Sequence, residues 1–201
     1  MKGHRMSIRL AFIGIMALSL SACGINSVPT AEENAKAKWA DVQAAYQRRA
    51  DLIPNLQATV QGAAGSERQI LTDVIDARSR ATAIQVSGDD LTDPARVQQF
   101  QAAQQQLGGT LSRLLANVEA YPQLQSQQGF QTFMSQIEGT ENRINIAIRD
   151  YNEAVRGYNT TIRTFPDAIG ARVIHGAEPM VPFEAQAGAN QAPTVDFGNS
   201  N

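Results

Sequence analysis

The stretch FQTFMSQIEGTENRINIAIRDYNEAVRGYNTTIRTF, residues 130–165, decides the fold. Phe130, Ile137, Ile144, Tyr151, Tyr158 and Phe165 recur every seven residues. Phe133, Thr140, Ala147, Ala154 and Thr161 keep the same period, and Met134, Glu141, Ile148, Val155 and Ile162 form a third file. Three files in seven make the broad apolar face of a helix that packs against others in a bundle. Pro166 closes the pattern, because proline cannot continue a helical hydrogen-bond ladder.

Working towards the N-terminus, the next stripe is Val97, Phe100, Gln104, Leu107, Leu111, Leu114, Val118 and Tyr121, again on three-four steps. Asp93 before Pro94 supplies an N-cap with proline at the first helical position. Tyr121-Pro122 ends the element, and Gly108 and Gly109 within it mark close packing or a soft point. Ser66 with Gln69 is a capping-box signature for a helix with the stripe Ile70, Val74, Ala77, Ala81 and Ile84, ended by Ser87-Gly88-Asp89-Asp90. Before it, Trp39, Val42, Tyr46, Arg49, Ile53, Leu56 and Val60 form a seam with a charge in it, with a kink expected near Pro54 and an end at Gly62 and Gly65. No stretch shows strand-like alternation. The expected fold is therefore all-α, an antiparallel up-down-up-down bundle of four long helices with a short C-terminal extension. Residues 168–174 could add a short helix, and Met180-Val181-Pro182-Phe183 is an apolar patch able to dock on the bundle.

The first residues carry an address. Lys2, Arg5 and Arg9 precede an apolar run over residues 10–22 and then Cys23, the anatomy of a secretory signal. The run is shorter than the ~20 residues a membrane-crossing helix needs. Leu20-Ser21-Ala22-Cys23 resembles the bacterial lipobox, which makes Cys23 the expected acylated first residue of the mature chain. Gly24 at the next position is compatible with delivery to an outer membrane, and Met6 is a second possible start. The expected organisation is a lipoprotein signal over 1–22, an anchor and tether over 23–33 containing Pro29, a helical domain over 34–184, and a disordered tail over 185–201, rich in Ala, Gly, Gln and Asn.

Composition narrows the chemistry. In 201 residues there are one cysteine and two histidines, and a formal charge of −2 that becomes −5 once the basic leader is removed. A single cysteine excludes an intramolecular disulfide, and His175 alone after processing permits no Ser-His-Asp or Cys-His set. The carboxylate pairs Glu32-Glu33, Asp89-Asp90 and Glu138/Glu141 lack a histidine at di-iron spacing and read as solvated faces. The glycines match no phosphate-cradling pattern, and the mildly acidic balance gives no nucleic-acid footprint. No metal, cofactor or nucleic acid is expected.

Two charges stand where apolar residues belong, Arg49 in the first seam and Glu141 in the last. A buried unpaired charge is very costly, whereas a hydrogen-bonded pair survives and can set helix register. In antiparallel first and fourth helices these residues face each other, so an Arg49–Glu141 contact is expected, with Tyr46 nearby and with Arg48, Asn142 and Arg143 beside it as possible binding residues. The remaining open reading is a ligand site built on the same group.

Arg48-Arg49-Ala50-Asp51-Leu52-Ile53-Pro54-Asn55-Leu56 resembles the hallmark segment of the LemA family. The match continues in order through Leu111-Ser112-Arg113-Leu114-Leu115, Glu119-Ala120-Tyr121-Pro122, Thr140-Glu141-Asn142-Arg143, Tyr151-Asn152, Tyr158-Asn159 and Phe165-Pro166, over roughly residues 34–184. The resemblance implies a bacterial, N-terminally membrane-anchored bundle of long antiparallel helices facing away from the cytoplasm, with no assigned reaction. Where many relatives resemble an uncleaved anchor helix, this chain has a lipobox. The expected role is a non-enzymatic envelope scaffold or adaptor with protein partners, its alternative a small-ligand or peptide binder at Arg48, Arg49 and Glu141.

Overall fold

The computed structural model describes residues 2–60, 66–118 and 128–184, with the side chains of residues 26–56, 69, 71–116 and 128–184. Among the described residues every regular element is helical: α1 (Lys2–Val60), α2 (Ser66–Ala83), a 3₁₀ turn (Gly88–Thr92), α3 (Pro94–Val118), α4 (Gln128–Thr161) and a single turn α5 (Asp167–Gly170) continued by a π turn (Ala171–His175). Residues 177–184 follow as a non-helical strap.

Pairings fix the helix directions. Ser27 bonds Asp167, Trp39 lies against Tyr151, and Arg49 bonds Glu141, so α4 runs antiparallel to α1. Arg78 reaches Ala50, Gln43 reaches Val86 and Lys36 reaches Asp89, so the chain returns along α1 through α2. Phe100 packs on Trp39 and Tyr46, and Gln104, one turn on, meets Arg49.

The expected stripes are the buried faces. Phe130, Ile137, Ile144, Tyr151 and Tyr158 are all buried, as are Val97, Phe100, Leu107, Leu111 and Leu114. At the head of α3 the Asp93 carboxylate accepts the Ala95 N–H at 2.9 Å, as the Asp-Pro signal implies. Met180 and Phe183 are buried on the bundle. Val118 and Tyr121 as core residues, the ends at Gly62 and Gly65 and at Tyr121-Pro122, the side chain of Cys23, and the tail over 185–201 lie outside what is described.

Three expectations need correction. The tether over 23–33 is helical throughout, and from Val28, fully buried, it is packed on the body. Apolar spacing continues through it at Val28, Ala35, Trp39 and Val42, and that outweighs the single break suggested by Pro29. At Pro54 α1 continues without a break, as its resumed periodicity implies. The proline removes the N–H that would have bonded the Ala50 carbonyl, and the Arg78 guanidinium takes that place, Nε to O 2.8 Å. The last member of the leading file, Phe165, is 77% exposed, because α4 ends at Thr161 and the following turn points it away from the core. α2 ends at Ala83, one residue short of Ile84, so Ser87 and Asp90 do not end it but cap the turn that follows. Asp90 accepts both the Ser87 N–H and hydroxyl at 2.8 Å, which holds its carboxyl below the usual range and caps a new 3₁₀ turn that buries Leu91.

Candidate functional site

Arg49 sits at the waist of the molecule, with only 4% of its side chain exposed. Its Nη1 donates to Glu141 Oε1 at 3.1 Å, and its Nη2 donates to the Gln104 carbonyl at 2.8 Å and to Gln104 Oε1 at 3.0 Å. The Gln104 amide in turn donates to the Ala81 carbonyl at 3.2 Å. One guanidinium thus connects α1, α3 and α4, and Gln104 extends the connection to α2. The Tyr46 ring, 5.0 Å from the guanidinium carbon, supplies a cation–π face. Burial pushes the Tyr46 phenol up to about 12, opposed by the Arg49 charge and assisted by that of Glu141.

The pair is asymmetric, since the Glu141 side chain is 43% exposed. Glu141 is the solvent-facing end of a network whose interior is Arg49 and Gln104. Arg49 Nε is buried with no acceptor among the described residues, so the guanidinium is held by two of its three nitrogens. The structure brings Arg49, Glu141 and Tyr46 together. It does not bring Arg48, Asn142 or Arg143 to them, because all three are exposed on the outer faces of their helices. A helix periodicity of about 3.6 residues turns immediate neighbours of a buried residue outward, which explains why adjacency in sequence misplaces them.

A second polar constellation was not anticipated as such. Asn159 donates to the Met180 carbonyl at 2.8 Å and accepts the Met180 N–H at 2.9 Å. Asn152 does the same with Phe183, at 2.9 and 2.7 Å. Seven residues of helix advance about 10.5 Å. Three residues of extended chain advance about 10 Å, so two asparagines one heptad apart match Met180 and Phe183 and treat the strap as a strand. Tyr151 donates its hydroxyl to the Val181 carbonyl at 2.8 Å, and the Val181 N–H bonds the Leu91 carbonyl at 2.9 Å. Burial raises the Tyr151 phenol well above its ordinary range. The signal for this clamp was the Tyr-Asn dipeptide repeated at Tyr151-Asn152 and Tyr158-Asn159.

Beside the clamp, Asn152, Val155, Arg156, Asn159, Arg163 and Pro182 line an open groove of about 540 Å³. Among the described residues no cluster of His, Cys, Asp and Glu is placed to hold a metal ion. No helix among those described residues is long and apolar enough to cross a membrane, and the apolar run over 10–22 lies outside the described side chains.

These features define a class: an all-helical protein whose core is tied by one buried guanidinium and closed by an asparagine-held strap. The chain belongs to the LemA family, whose model matches residues 38–197 and so covers the waist, the clamp and the strap. No curated protein matches the chain.

Proposed function

We propose that the chain is a non-enzymatic scaffold or adaptor of the bacterial envelope, lipid-anchored through Cys23 and presenting its helical faces to other envelope proteins. The observation that carries this reading is the continuity of α1. The helix runs from Lys2 to Val60 and is packed on the body from Val28, with Ser27 bonded to Asp167 at 2.6 Å. An anchor on Cys23 therefore holds the body in a fixed pose instead of on a slack leash. The polar groups in and beside the core support the same reading, since Arg49, Gln104, Tyr151, Asn152 and Asn159 are engaged in tying helices and strap together. The four long helices are inferred to close as an up-down-up-down bundle, in keeping with the pairings of α1 with α4 and of α2 with α3.

The mass of the mature N-terminus tests the anchor. A diacylglyceryl adduct on Cys23 is expected, and an intact Met1 refutes it. Cys23→Ser is expected to leave the precursor unprocessed. Crosslinking in intact membranes tests the scaffold: a recurrent neighbour is expected, and a solitary monomer counts against the role. The alternative, a ligand site at Arg48, Arg49 and Glu141, predicts ligand-induced thermal stabilisation that Arg49→Ala abolishes while the fold persists.

A further inference from the structure

Among the described residues, large apolar side chains that stand exposed are Ile146 at 41%, Phe165 at 77%, Ile169 at 59%, Val173 at 78% and Ile174 at 57%. Four of these five fall within residues 165–174. Ile169 and Val173 lie four residues apart on the short helix and its π turn, and Phe165 is exposed in the turn just before them. Scattered surface hydrophobes need no explanation, but a concentration of this kind marks an interaction surface. Arg163, Arg172 and His175 are exposed around it, with Glu178 beyond.

The position of this segment names its occupant. Asp167 is bonded to Ser27, four residues beyond Cys23. Four residues of helix advance about 6 Å. Because α1 is helical through residues 23–27, no slack chain is available to lift the body away from its attachment point. Acyl chains on Cys23 and an apolar run left inserted both place the bilayer surface at that end of α1.

We propose that residues 165–174 form a foot that rests in the headgroup layer of the membrane to which the chain is anchored. Phe165, Ile169, Val173 and Ile174 enter the boundary between headgroups and acyl chains, and Arg163 and Arg172 meet lipid phosphates. An apolar face bordered by arginines is the chemistry of interfacial binding, and attachment at Cys23 supplies the second of the two contacts that make such binding stable. The inference rests on the anchoring reading and adds a second point of contact, which fixes the tilt of the body over the membrane.

Full-length chain is reconstituted through its own N-terminal segment into phosphatidylcholine–phosphatidylglycerol vesicles containing brominated lipid. Ile169→Trp is compared with Ser112→Trp on exposed α3, the buried Trp39 giving a common background. Quenching at position 169 is expected to exceed that at 112 by about threefold or more, and adding Val173→Asp is expected to reduce it. Equal quenching at both positions in chains that float with the vesicles overturns the foot and leaves the anchor standing. Chains that do not float remove the anchor, and the foot with it. Emission from position 169 that shifts with protein concentration, without quenching by lipid, assigns the patch to a second copy and also overturns the proposal.

Discussion

Around Trp39 the core is rich in rings and closed on one side by a non-helical strap, whereas around Leu107 it is mainly aliphatic and closed by helix against helix. The first cluster holds Trp39, Tyr46, Phe100, Tyr151, Tyr158, Met180 and Phe183, and it lies towards the N-terminal end of the packed stretch of α1. The second holds Ile53, Leu56, Val74, Ala77, Leu107, Leu111, Leu114 and Ile137, with Phe130 and Phe133 as its rings. α2 explains the difference. It covers α3 over the distal cluster but ends at Ala83, so the proximal cluster is left to the 3₁₀ turn and residues 177–184. A helix satisfies its own main chain, but a strap must be given partners, and Asn152 and Asn159 provide them. Large rings suit the proximal site because each buries much area and Trp39 can still place its N–H on the Val86 carbonyl at 2.8 Å. Arg49 stands where the two regimes meet.

The largest effect should come from cutting that junction. Arg49→Ala removes a buried side chain that serves three helices and leaves the Gln104 carbonyl and side chain without their donor, a loss of about 3 kcal/mol. Glu141→Ala removes a half-exposed acceptor while Gln104 still holds the guanidinium, which should cost about 1 kcal/mol. Denaturant unfolding measures both. Equal losses, or a larger one for Glu141, would mean that the ion pair and not the Gln104 contacts carries the junction.

Next in size is the strap. Asn152→Ala and Asn159→Ala each delete two partly buried hydrogen bonds, at about 1–2 kcal/mol apiece. Loss of amide protection should follow register: the Phe183 N–H in the first variant, the Met180 N–H in the second, with Leu107 and Leu111 in the distal cluster unaffected. Exchange that rises uniformly in both clusters would show that the two regions unfold as one unit.

Alkaline titration probes the first cluster by a third route. Burial raises the Tyr46 phenol from 10.0 to about 12 in the folded chain. Its contribution to stability is therefore fully present below about pH 10 and is lost as pH rises through about 12. Tyr46→Phe should flatten that part of the stability profile between pH 10 and 12 while keeping the ring against Arg49. An unchanged profile would assign alkaline sensitivity to Tyr151 and Tyr158, whose phenols burial also raises.

Helical stripes were legible in both regions because period and burial obey the same geometry: every member from Phe130 to Tyr158 is buried. Arg49 and Glu141 stood out for the same reason, as charges in apolar files. Arg48, Asn142 and Arg143 were associated with them by adjacency alone, and the helix turns each to solvent. Pro29 suggested a tether outside the bundle, but a local breaker yields where packing continues, and at Pro54 the helix continues with Arg78 taking the freed carbonyl. The clamp was harder to read, since Asn152 and Asn159 sit beside the stripe on partly exposed positions and their partners lie more than twenty residues away. No local periodicity encodes a contact of that kind.

The smallest expected effect is the most local probe of the junction. Gly108 and Gly109 are neighbours in the middle of α3, and each weakens the helix by about 1 kcal/mol relative to alanine. A Cβ added at Gly109 meets nothing within 4 Å, so Gly109→Ala should recover most of that amount. A Cβ at Gly108 would stand 3.4 Å from Arg49 Nη1, which opposes the gain by crowding the guanidinium against Gln104 and Glu141. Gly108→Ala should therefore stabilise less than Gly109→Ala in the native chain and equally in an Arg49→Ala background. A deficit at Gly108 that survives removal of Arg49 would place the cause of that glycine in the helix and not at the waist.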